Sequence, residues 1–138
     1  MIVDINDLVG KPFTAEVSES YGPDSYSCHG LLVEVHSRFN INVPRTNIAV
    51  CACKEASDKE ILKQISTNWI RVQVPCVPCG ILIQSTSSGF ANHIGVFLGD
   101  NKMIHVTINH AVNVAAVSDW EKKIIGYYKY VGNNNNNT

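Results

Sequence analysis

The hydrophobic period of the chain changes once, near Pro75, and this change limits the available folds more than any other feature. Before it, apolar residues recur at helical spacing. Cys28, Leu31, Leu32, Val35 and Phe39 fall on one face of an α-helix, with Ser25 or Ser27 in place to cap it. Ser57-x-x-Glu60 ahead of Ile61, Leu62 and Ile65 is a capping box and predicts a second helix. Asp4 predicts a short helix over Ile5 to Val9, stopped by Gly10. After Pro75 the apolar runs shorten. Ile81–Ile83, His93–Leu98, Met103–Val106, Val112–Ala115 and Ile124–Val131 read as strands, separated by turn residues such as Gly99-Asp100-Asn101. Helices followed by strands predict an α+β domain with an antiparallel sheet.

Composition sets the scale of that domain. With 138 residues, 45% hydrophobic and 17% charged, the chain is long enough for one domain with one core. No repeat is visible. Gly132 to Thr138 contains five consecutive Asn and has nothing to bury, so a folded unit over residues 1–131 and a disordered tail over 132–138 are expected. Eleven Lys plus Arg against twelve Asp plus Glu give a net charge of −1, which argues against a nucleic-acid binder. No apolar run reaches the roughly 20 residues of a membrane span. The start, MIVDINDLVGKPF, carries no basic stretch ahead of an apolar one, so no signal peptide is expected. The reading is therefore a protein cytoplasmic as synthesised, its five cysteines held as thiols.

Cys28 falls in the first turn of the first long helix. Unpaired N–H groups there carry partial positive charge and favour an anion, so the position lowers a thiol pKa from its usual value of about 8.5. The competing reading is a small hydrophobe on a buried helix face. Two histidines add to the first reading. His93 opens one strand and His105 lies in the next. A thiol nucleophile needs a base, and the base needs a polar group to orient it. A direct pairing of His93 with His105 would centre the turn on Gly99, whereas the turn residues run from Gly99 to Lys102. The spacing thus points to a diagonal contact or a bulge.

These segments resemble the NlpC/P60 family of cysteine peptidases. GPDSYSCHGLLVEV is similar to the family's nucleophile motif, with the phage-tail branch nearest. VPRTN at Val43 to Asn47 is similar to its Leu-Pro-Arg-Thr-Ser, and HIGVFLGDNKMIHV to its His-containing hairpin. The resemblance implies a papain-like α+β fold, N-terminal helices packed on a C-terminal antiparallel sheet, and no cofactor. It implies hydrolysis of amide bonds in peptidoglycan stem peptides, typically between γ-D-glutamate and a diamino acid. By motif position Cys28 is the nucleophile, His93 the general base and His105 the residue orienting it. The sequence departs from the family around the substrate groove. Ser27 and His29 replace the usual Asp and Ser beside the Cys, Phe13 or Tyr21 stands where an upstream Tyr is usual, and Cys79-Gly80-Ile81 replaces Pro-Gly-Asp. Tyr21, Ser27, His29 and Arg45 are the candidate substrate-binding residues.

Other readings compete at single residues. Cys51-x-Cys53 and Cys76-x-x-Cys79 form a possible four-thiolate zinc site, although the first pair is tight for one. The preferred reading is thiols without metal. His29 and His36 are expected on the outer side of the helix, His110 in a turn, and Arg45 in a structural ion pair or at the groove. Trp69, Trp120, Tyr127, Tyr128 and Tyr130 are expected in the core and on the sheet. Two rival functions remain: a non-catalytic assembly protein of tail type, and a thiol acyltransferase or amidase on another substrate. Delivery in a virion or release by lysis would bring a wall hydrolase without an export signal to its substrate.

Overall fold

Helix α1, Cys28–Arg38, begins where Ser27 turns extended, and the Ser27 hydroxyl accepts the N–H of Gly30. Ser25 instead bonds the Glu19 carbonyl. The helix ends at Phe39 and Asn40, the latter in the left-handed region at φ 64°, which Asn tolerates. The computed structural model describes residues 3–45, 68–84 and 93–132. The capping box at Ser57 and the first pair of the zinc motif lie outside the described residues, as does the Asn run.

Six strands form one antiparallel sheet in the order β1-β6-β2-β3-β4-β5. Their ranges are β1 Trp69–Val72, β2 Cys79–Ile83, β3 His93–Gly99, β4 Lys102–Thr107, β5 His110–Ala116 and β6 Ile124–Tyr130. Five match the apolar runs of the sequence. β1 was not anticipated, because Ile70 and Arg71 are both exposed and only Trp69 turns inward. His110 opens β5 rather than lying in the turn before it. The short helix expected over Ile5 to Val9 is also absent. Asp4 accepts the Asn6 N–H instead, and a run of turns follows. An Asx turn competes with helix at such a residue. The next residues are pinned to β5, with Gly10 donating to Val112 and Val112 donating to Lys11 at 2.8 Å each.

Strand alternation divides the core. Leu82, Ile94, Val96, Ile104, Val106 and Val112 face α1, where Leu31, Leu32 and Val35 are fully buried. Each such side chain contributes roughly 1.5–3 kcal/mol by leaving water. Gly80 keeps this layer thin, since a Cβ there would touch Leu32 and Trp69 at 3.4 and 3.5 Å. Ile81, Ile83, Met103 and Phe97 face the other way and are covered by Val117 and Trp120 of the 3-10 helix Val117–Lys123. The expected aromatics fill these layers, Trp69, Tyr128 and Tyr130 on the α1 side and Trp120 and Tyr127 on the other.

Candidate active site

Cys28 is the first residue of α1 and is buried to 1% exposure. Its surroundings follow from its neighbours in the chain. Ser27 closes the helix end, a role for which Asp is an equal choice, so its departure from the family motif conserves the capping chemistry. Gly30 lets the helix end lie against the main chain of Ser20, because a Cβ on Gly30 would sit 1.7 Å from the Ser20 carbonyl oxygen. Ser27 N–H closes the same contact by donating to that oxygen at 3.0 Å. Cys28 is disulfide-bonded. The expectation of five thiols is therefore corrected at this position, while Cys76 and Cys79 are free.

His29 is buried, not exposed, with Nδ1 3.0 Å from the Tyr21 hydroxyl and its ring edge-on to Tyr21. A residue beside the helix start can turn back into the preceding loop, and the sequence carries no mark of that. The Arg45 guanidinium lies over the Tyr21 ring, 4.7 Å from its centroid. Tyr21 thereby links Arg45 to the turn that holds Cys28. A cavity of 330 Å³ beside it is lined by Lys11, Tyr26, Arg38 and Arg45 among others. Arg38 is neutralised there by both Asp7 carboxylate oxygens and by Glu34 at 2.9 Å, and this Arg38 guanidinium holds the Asp7 carboxyl below its usual range.

The two strand histidines meet. His93 Nε2 lies 3.0 Å from His105 Nδ1, and both side chains are 3% exposed. Val96 pairs with Ile104 and Phe97 with Met103, and a bulge before Gly99 corrects the turn. His105 therefore stands across from Gly95, one step along the same face from His93. Gly95 has no side chain to separate them, and a Cβ there would lie 3.6 Å from that of His105. Trp120 packs edge-on against His105 at 5.0 Å and flanks His93 at 6.4 Å. Burial, then the nearby His105, pushes the His93 pKa down to about 3, and burial also lowers that of His105. Both rings are neutral at neutral pH. A neutral imidazole has one bare nitrogen and can take a proton.

The histidine pair lies on the sheet face away from α1. His93 is the first residue of β3 and Cys28 the first of α1. A second cavity, of 510 Å³, opens beside His105 and is lined by Thr107, His110, Asn113 and Trp120.

His36 is the second corrected histidine. It is fully buried, with Nδ1 bonded to the Leu32 carbonyl at 2.9 Å and the ring edge-on to Trp69 at 5.4 Å. Burial pushes its pKa down to about 4. Cys79 is buried beside Cys76, and burial pushes its thiol pKa up to about 12, a poor start for a metal-binding thiolate. Among the described residues no cluster of three His, Cys, Asp or Glu is placed to hold a metal ion, and no helix is long and apolar enough to cross a membrane.

Comparison with solved structures finds the same architecture. NlpC2 from Trichomonas vaginalis superposes with a TM-score of 0.60 at 18% identity over 91% of this chain and 43% of that one. An NlpC/P60 family protein from Bacillus cereus gives 0.59 at 14% identity over 94% and 41%. The NlpC/p60 domain of the peptidoglycan hydrolase SagA gives 0.55 at 15% identity over 90% and 91%. The chain thus spans less than half the length of the first two. No curated protein matches it. The model of the NlpC/P60 family matches residues 11–129. That span takes in α1, both strand histidines and the whole sheet but for the last residue of β6, and the chain belongs to the NlpC/P60 family.

Proposed function

We propose that this protein is a cysteine peptidase that hydrolyses amide bonds in peptidoglycan stem peptides, of the γ-D-glutamyl-diamino acid type. The buried His93–His105 contact carries the reading. Two neutral imidazoles held at 3.0 Å in a domain of this family form a base with its orienting group. Cys28 is the nucleophile after its disulfide is reduced. The amino end of α1 favours its thiolate, and His93 takes the thiol proton. The sulfur attacks the scissile carbonyl, and main-chain N–H groups at the start of α1 hold the oxyanion. His93 returns the proton to the leaving amine, and water attacks the thioester and releases the acid, restoring the thiol. Tyr21 and Arg45 flank the groove on the nucleophile's side, while Ser27 and His29 hold the turn beneath it.

The experiment is digestion of purified muropeptides of known stem composition by reduced protein, with products read by mass spectrometry. Wild type releases two fragments from a stem peptide, and Cys28→Ala and His93→Ala, both folded, release none. Identical products from wild type and Cys28→Ala sink the reading. A second reading, a non-catalytic assembly protein that keeps the fold, is favoured by the disulfide at Cys28, and it predicts no products from reduced wild type.

A further inference from the structure

We propose that Cys76 and Cys79 form a redox pair, separate from the histidine site, in which the accessible Cys76 thiol exchanges with a small-molecule disulfide and Cys79 closes an intramolecular bond. Hydrolysis at Cys28 uses neither thiol, so the proposal stands apart from the hydrolase reading.

Both thiols are free, and they flank a bend of the chain at Val77 and Pro78. Cys76 Sγ folds back over that bend and donates to the Pro78 carbonyl oxygen at 3.6 Å. This oxygen belongs to the peptide bond that leads into Cys79, which puts the Cys76 sulfur within about 6.5 Å of the Cys79 Cα. Cysteines three positions apart around a turn fall in the range of a disulfide, whose Cα atoms lie within about 7 Å of one another. The bend is also held in place. Val77 packs on the turn between β3 and β4, where a Cβ on Gly99 would stand 3.4 Å from Val77 Cγ2. Cys79 opens β2 opposite Phe97.

The two thiols are unequal. Cys76 is partly exposed, whereas Cys79 is fully buried. Burial, then the neighbouring Cys76, pushes the Cys79 thiol pKa up to about 12. Its thiolate is therefore scarce, and a reagent in solution meets Cys76 first. Once Cys76 carries a mixed disulfide, adjacency offsets that scarcity, because attack within one molecule has a high effective concentration.

The exchange balances in two steps. Cys76 loses its proton to water, and its sulfur attacks one sulfur of oxidised glutathione. One glutathione leaves with the electron pair of the broken S–S bond and takes up a proton. Cys79 then loses its proton, attacks the Cys76 sulfur and expels the second glutathione in the same way. The chain gives up two protons and two electrons, and one disulfide becomes two thiols. Ile83, at the other end of β2, is the residue that pairs with His93. The redox pair thus lies roughly 13 Å along the strand from the histidine contact, and its oxidation does not touch that contact.

The test uses the full chain, reduced, freed of reductant and incubated with oxidised glutathione near the ordinary thiol pKa of about 8.5. Samples are quenched in acid, alkylated, digested with trypsin without reduction and read by mass spectrometry. Trypsin releases residues 72–102 as one peptide that holds Cys76 and Cys79 and no other cysteine. In wild type this peptide is expected two hydrogens light, with no alkyl group and no glutathione, in most of the chains. Cys79→Ala is expected to keep glutathione on Cys76, and Cys76→Ala to take it up at least about tenfold more slowly. The wild-type result needs neither variant to fold. A wild-type peptide alkylated at both thiols overturns the proposal. So does one that keeps glutathione without closing, or one joined to Cys28, Cys51 or Cys53.

Discussion

Replacing His36 by leucine should remove a large part of the protein's sensitivity to mild acid. The imidazole is fully buried, and its pKa in the folded chain is pushed down to about 4 by burial. In the unfolded chain it returns to about 6.5. Between those values the unfolded chain binds a proton that the native chain does not. The stability this group contributes is therefore fully present above pH 6.5 and is lost as pH falls toward 4. Lowering the pH from 7 to 5 favours the unfolded state, through His36 alone, by about 2 kcal/mol. His93 and His105 add losses of the same sign, since burial lowers both, so the whole wild-type response is not a clean measure of one residue. The difference between wild type and His36→Leu is. Urea unfolding at pH 7 and pH 5, followed by tryptophan fluorescence, measures it, because Trp69 packs against the ring. Wild type should lose about 2 kcal/mol more than the variant over this interval. Parallel losses would refute the argument that His36 is neutral in the folded state.

Two further substitutions test how the start of α1 is built. Gly30→Ala places a methyl group on the Ser20 carbonyl, and the overlap with main chain should cost on the order of 3 kcal/mol or more, seen as a lowered thermal midpoint. A variant within 0.5 kcal/mol of wild type, roughly the scatter of an ordinary surface change, would show that the helix does not lie against that carbonyl. Ser27→Ala should cost about 1 kcal/mol by leaving the Gly30 N–H without its cap, and Ser27→Asp should restore it; equal loss in both variants would contradict the capping role.

The sequence made α1 legible because Cys28, Leu31, Leu32 and Val35 are spaced for one buried face, and the structure buries all four. The strands after Pro75 were legible for the same kind of reason. The meeting of His93 and His105 was anticipated as a diagonal or bulged contact, and Gly95 and the bulge before Gly99 supply it. Other features depend on partners that local spacing does not reveal. His36 looks like an outer-face residue until Trp69, 33 positions on, covers it. His29 turns inward, where the Tyr21 hydroxyl meets its ring nitrogen. Asp4 reads as a helix cap, but its carboxylate closes a turn first. The disulfide at Cys28 was equally hidden, since an odd number of cysteines fixes no pairing.

The account turns on whether the sulfur of Cys28 and the imidazole of His93 act on one another once the disulfide is reduced. Alkylation of the reduced protein, measured residue by residue across pH 4 to 10, addresses this directly. The account predicts that Cys28 reacts with a pKa well below the usual 8.5 or so of a thiol and that His93→Ala moves it upward. A reduced Cys28 that titrates like an ordinary buried thiol, with the same profile in wild type and His93→Ala, would contradict it.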